Sequence, residues 1–192
     1  MMETNSTPVA GYLAMLYFGS EFLLGLARRA KGGSSSPADR GSTRVLWLTI
    51  MPSMFLGFWC QFGVPQARWE FQPWINVIGI AIVILGLVIR WYSIIYLGRF
   101  FTVNVAIAAD HRLIDTGPYR RVRHPSYTGA LLTFLGLGIC MQNWAALLVL
   151  MTGTTVAFLY RMHVEEAALT VAFGERYRQY MQRTARLMPG VY

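Results

Sequence analysis

Two short stretches of this chain carry side chains that could bind and orient a reacting group. Residues 111–129 bring His111, Arg112, Tyr119, His124, Ser126 and Tyr127 into one segment. Gly117 and Pro118 supply a turn, and Pro125 keeps His124 out of helical conformation. A helix starting there leaves its first backbone amides open to a ligand. The hydroxyls of Ser126 and Tyr127 add polar groups beside them. A basic loop lying on anionic headgroups would account for Arg120, Arg121 and Arg123, but not for the grouping of Tyr119, His124 and Tyr127. In the second stretch, residues 161–166, Arg161 and Glu165 are four apart and share a helix face. They can pair with each other, a contact worth about 0.5 kcal/mol or less when exposed. They can equally hold a ligand that bears both charges. Two further charges, Arg90 and Glu21, interrupt apolar runs, and such groups default to a functional reading. Arg90 is within reach of an inner cavity and is a candidate substrate contact, with snorkelling as the alternative. Pairing with a basic loop residue suits Glu21 better than catalysis does.

The elements that must position these residues are membrane helices. Of 192 residues, 55% are hydrophobic and only 14% charged, against about a quarter charged in soluble domains. The apolar residues come in long runs, and roughly 20 such residues cross a bilayer core. Five spans are expected: Pro8 to Ala27, Val45 to Val64, Pro73 to Leu97, a short one from Thr128 to Met141, and Trp144 to Met162. Gln142 and Asn143 form the turn of a hairpin between the last two. Beyond Met162 the helical spacing continues to about Gly174, and a short helix follows through Tyr177 to Met181. This is an all-α, multi-pass bundle. It divides into an N-terminal part, residues 1–97, with a basic linker at 28–44, and a part carrying the chemistry, residues 98–192.

Charge sets the orientation. Five basic residues lie between the first two spans, five between the third and fourth, and five at or after the end of the fifth; Arg68 stands alone on the other side. The positive-inside rule puts the N-terminus outside and the C-terminus in the cytoplasm. That distribution also accounts for the net charge of +8 without nucleic acid. Sixteen Arg against one Lys suggests a GC-rich, bacterial coding sequence and hence an inner membrane. Cys60 and Cys140 sit in apolar runs as packing residues, and no spacing suggests a metal site. No cleavable leader is visible. Residues 32–37 read as a flexible linker, Trp69, Trp74 and Trp144 as an interfacial belt, and Gly79 with Gly86 as a face for close helix packing.

Tyr119, the run from Arg123 through His124, Pro125 and Ser126 to Tyr127, and then Gly129 form one motif. Glu165-Glu166 and Phe173-Gly174-Glu175 follow it, with Tyr177 and Tyr180 beyond. As a set they resemble the isoprenylcysteine carboxyl methyltransferase family over residues 95–192, and Arg186 to Pro189 resembles its short prokaryotic members. The resemblance implies a membrane helix bundle whose cytosolic C-terminal helices form a pocket for S-adenosylmethionine. It implies His111, Arg112, Leu113, Ile114, Tyr119, His124, Pro125, Ser126, Tyr127 and Glu165 as cofactor contacts and Arg161 as a substrate contact. Arg161 and Glu165 would then carry the reaction, transfer of a methyl group to a lipophilic acceptor such as an isoprenylcysteine carboxylate. Two other readings remain at this point: a sterol-type double-bond reductase using NADPH, and a non-catalytic lipid-binding protein.

Overall fold

The computed structural model describes residues 7–27, 37–70, 72–101 and 112–190. Six α-helices account for most of them: α1 (Thr7–Ala27), α2 (Pro37–Gly63), α3 (Pro73–Leu97), α4 (Pro125–Cys140), α5 (Trp144–Phe173) and α6 (Glu175–Arg183). Among the described residues there is no strand, only two isolated bridges. Four helices, α1, α2, α3 and α5, are long and apolar enough to cross a membrane, while α4, with 16 residues, is shorter. At 1.5 Å per residue α4 reaches only about 24 Å, less than the hydrocarbon thickness. The chain is a multi-pass helical membrane protein, with α4 held among longer neighbours.

Local sequence explains the helix ends. Pro73 and Pro125 each open a helix at the position where a missing N–H costs nothing. Asn143 caps α5 by accepting from the Ala146 amide at 3.0 Å. Gly174, at φ 55°, ends α5 in the left-handed region that favours glycine. Two starts differ from the hydropathy reading. α2 begins at Pro37 rather than Val45, so part of the expected linker is helical. Polar residues end an apolar run without ending a helix that Pro at its first turn can start. α4 begins at Pro125 rather than Thr128 for the same reason.

Helices α3 and α4 pack back to back through glycine. A Cβ on Gly86 would lie 2.6 Å from the Gly129 carbonyl oxygen and the Thr133 amide. One on Gly136 would lie 2.5 Å from the Gly79 carbonyl. The expected close-packing face of Gly79 and Gly86 is thus met by a matching face on α4. Gly86→Ala has backbone rather than flexible side chain to displace, so we expect a loss of about 1–3 kcal/mol, read as a lower thermal midpoint in detergent.

The opposite end of the bundle is tied by the α4–α5 turn. Gln142 takes a left-handed φ of 49°, and Asn143 Nδ2 donates to the Cys60 and Val64 carbonyls. Trp69 packs edge-on against Trp144 with ring centroids 4.7 Å apart. Both cysteines are buried.

Candidate active site

At the basic end of the bundle, α1, α2, α3, α5 and α6 and the segment leading into α4 enclose one cavity of about 160 Å³. Most residues singled out by the sequence meet there. Arg112, Leu113, Ile114 and Tyr119 line it from the loop before α4; His124, Ser126 and Tyr127 line it from the start of α4. Arg161 and Glu165 face it from α5, and Arg90 from α3. Pro125 is buried but is not part of the lining; its contribution is to start α4. His111 lies outside the described residues.

The loop is held by paired groups. His124 sits at the N-cap position of α4, out of helical conformation as Pro125 requires. Its ring stacks on Tyr127 at 5.5 Å and 17°. Its Nε2 lies 3.1 Å from Glu166 Oε1; since an ionised carboxylate only accepts, that nitrogen carries the hydrogen. The Tyr127 hydroxyl donates to Glu165 Oε2 at 2.8 Å. Tyr180 donates to the Tyr119 carbonyl at 2.6 Å, and Tyr119 to the Ser93 carbonyl at 3.3 Å. Burial pushes the Tyr119, Tyr177 and Tyr180 phenols well above their ordinary range, with Glu165 adding to the effect on Tyr119. All three remain hydrogen-bond donors.

Glu166, treated by sequence only as the neighbour of Glu165, is the hub of this end. It accepts from Arg123 Nε at 3.0 Å, from His124, and from Arg186 through Nε at 2.9 Å and Nη2 at 2.5 Å. Arg123 is therefore no lipid-facing loop residue. Its guanidinium also donates to the Met181 and Thr184 carbonyls. The chain after α6 lies along the loop as a strap. The Arg123 and His124 amides donate to the Ala185 and Arg186 carbonyls, and the Ala185 amide donates to Arg121.

Glu21 resolves differently from expectation, whereas Arg90 reaches the cavity as its position suggested. They pair with each other: Arg90 Nε and Nη2 donate to the two carboxylate oxygens at 2.5 and 2.6 Å, and Nη1 donates to the Ser126 carbonyl. Glu21 has an α3 partner rather than a loop partner, and Arg90 does not snorkel. Arg161 donates to Thr43 Oγ1 at 2.9 Å and to Ser42, both on α2. The remaining wall is apolar, with Tyr17 and Phe18 from α1 and Leu46, Trp47 and Ile50 from α2. Hydropathy had marked these only as membrane helix; no motif distinguishes a cavity-facing Trp47 from a lipid-facing one.

Known proteins resemble this chain in sequence and in fold. A family profile described as phospholipid methyltransferase matches residues 74–176. Protein-S-isoprenylcysteine O-methyltransferase B of Arabidopsis thaliana is 33% identical over 120 residues, covering 62% of this chain and 61% of that protein. Methanethiol S-methyltransferase 1 of Bradyrhizobium diazoefficiens is 29% identical over 165 residues, covering 81% of this chain and 56% of that protein. The solved structure of the eukaryotic intramembrane Ras methyltransferase, isoprenylcysteine carboxyl methyltransferase, superposes with a TM-score of 0.60 at 28% identity, covering 75% of this chain and 52% of that one. The chain thus spans less than two thirds of the length of these relatives. With the profile covering more than half of its residues, and with the resemblance to isoprenylcysteine carboxyl methyltransferases supported by these relatives, the chain belongs to the phospholipid methyltransferase family.

Proposed function

We propose that this protein is an S-adenosylmethionine-dependent methyltransferase of the membrane, acting on a lipophilic acceptor such as an isoprenylcysteine carboxylate. The observation that carries the reading is the shared cavity: Tyr119, His124, Tyr127, Arg161 and Glu165 line one space whose other wall is apolar membrane helix. The donor set suits the cofactor. The Glu165 carboxylate, its side chain 28% exposed, stands ready to offset a positive charge. Leu113 and Ile114 offer apolar surface to a flat base. When bound, S-adenosylmethionine supplies an activated methyl group on a sulfonium sulfur.

The rest is alignment by the chain's own residues. A carboxylate acceptor is ionised at neutral pH and needs no general base. Arg161, held on the α2 side by Ser42 and Thr43, can grip that carboxylate through a forked donor pair. The apolar wall of Leu46, Trp47 and Ile50 gives a lipid tail a place beside the arginine. Catalysis is then positioning: holding oxygen, methyl carbon and leaving sulfur in line. Fifteen basic residues on one side of the layout support a cytoplasmic cavity, with the N-terminus outside. The bacterial relative that methylates a thiol makes small thiols the second acceptor class to examine.

The test is labelled methyl transfer by purified protein to prenylcysteines, phospholipids and small thiols, with calorimetry of cofactor binding. We expect label on the prenylcysteines. Glu165→Gln is expected to weaken S-adenosylmethionine binding about 10- to 100-fold while the protein still folds, as for loss of a charge-assisted contact. Unchanged affinity in that variant, or stabilisation by NADPH in place of S-adenosylmethionine in a thermal-shift comparison, would overturn the assignment.

A further inference from the structure

Three buried side-chain polar atoms among the described residues have no hydrogen-bond partner: Gln61 Oε1, Trp69 Nε1 and the Tyr177 hydroxyl. The first two belong to the opposite end of the bundle, near the Trp69–Trp144 contact and the Arg68 Nε bond to the Gln61 carbonyl. Tyr177 is different, because it also lines the cavity. It lies on α6, is 1% exposed, and packs in a small apolar cluster with Leu113 and Tyr180.

Its neighbours do not use its proton. Glu166 is occupied by Arg123, His124 and Arg186, and Glu165 Oε2 accepts from Tyr127. Tyr180, whose ring centroid lies 5.9 Å away, spends its own hydroxyl on the Tyr119 carbonyl. Burial, with Glu166 and Glu165 nearby, keeps the Tyr177 phenol protonated and so a donor. A buried hydroxyl without a partner costs free energy, and phenylalanine would fill the same space without that cost. The oxygen is accounted for if a ligand completes its bonding.

We propose that Tyr177 is a cofactor-binding residue whose hydroxyl donates a hydrogen bond to the S-adenosyl ligand. The inference rests on the reading of the cavity given under Proposed function. It adds α6 to the elements that touch the cofactor and gives Tyr177 a chemical role beyond packing.

The test compares wild type, Tyr177→Phe and Tyr180→Phe in detergent. Binding of S-adenosylmethionine and S-adenosylhomocysteine is measured by calorimetry, the unliganded thermal midpoint by unfolding, and the acceptor KM by labelled transfer. Tyr177→Phe is expected to bind both nucleosides roughly 3- to 10-fold more weakly, as for one hydrogen bond. Its unliganded midpoint should equal or exceed that of wild type, and its acceptor KM should not change. Tyr180→Phe, which removes a hydroxyl that already has a partner, should lower the unliganded midpoint. Equal cofactor affinity in wild type and Tyr177→Phe overturns the inference alone. So does a fall in the unliganded midpoint of Tyr177→Phe, or a change confined to the acceptor KM. No binding of either nucleoside by wild type overturns the reading of the cavity and this inference together.

Discussion

Replacing Glu166 by alanine is expected to lower the thermal midpoint of the detergent-solubilised protein by roughly 10 °C and to abolish measurable cofactor binding. The carboxylate is buried, with its side chain 8% exposed, and it joins α5 to the loop through Arg123 and His124 and to the strap through Arg186. Removing it leaves two arginines without their shared anion, one of them only 11% exposed. Breaking a buried pair in this way costs about 3–5 kcal/mol, far more than forming it contributes. The loop would then lose the group that orients His124, and with it the stack on Tyr127. Glu165→Gln, one residue away, should weaken cofactor binding without a comparable loss of stability, because Glu165 is partly open and glutamine can still accept from the Tyr127 hydroxyl, with His124 Nδ1 farther off at 3.9 Å. Unfolding curves for Glu166→Ala, Glu165→Gln and wild type make the comparison. A Glu166→Ala midpoint within about 2 °C of wild type would show that the hub contributes little.

A second large effect is expected from Glu21→Ala, about 3–5 kcal/mol of destabilisation. Glu21 and Arg90 side chains are 12% and 7% exposed, on helices α1 and α3. Deleting the acid leaves a guanidinium inside a membrane helix still donating to the Ser126 carbonyl but without its anion. The sign of the double substitution is the sharper check. Glu21→Leu with Arg90→Leu removes both charges, and replacing a whole buried pair by apolar groups is often neutral or stabilising. The double variant should therefore be more stable than Glu21→Ala. If the effects of Glu21→Leu and Arg90→Leu, each made alone, simply add in the double variant, the pair is not coupled, and its place in the cavity wall needs another explanation.

The helices were legible because membrane burial writes itself into composition. The α3 bounds, Pro73 and Leu97, are those read from its apolar run. The continuation of α5 past Met162 was visible as amphipathic helical spacing beyond the apolar run, ending near Gly174, with the short α6 after it. The cavity residues were legible because His124, Tyr127, Arg161 and Glu165 are the wrong polarity for a lipid-facing helix end. What sequence concealed were partners. Glu166 bonds Arg123 across 43 positions and Arg90 bonds Glu21 across 69, and no local spacing records such distances. Arg123 resembled its neighbours Arg120 and Arg121 in type, yet only the fold separates a buried clasp from a surface charge. The apolar wall from α1 and α2 escaped for the opposite reason: in a membrane protein a hydrophobic side chain signals nothing about which way it faces.

The strap formed by residues 184–187 has a consequence for biosynthesis. Translation runs from the N-terminus, so α1 to α5 are all made before Ala185 and Arg186 exist to dock against Arg121, Arg123 and His124. A nascent chain halted after α6 would hold every apolar helix and both acidic residues of α5, yet its loop would lack the backbone bonds to Ala185 and Arg186 and the Arg186 side chain on Glu166. Insertion of the apolar helices can therefore precede the docking of residues 184–187 onto the loop.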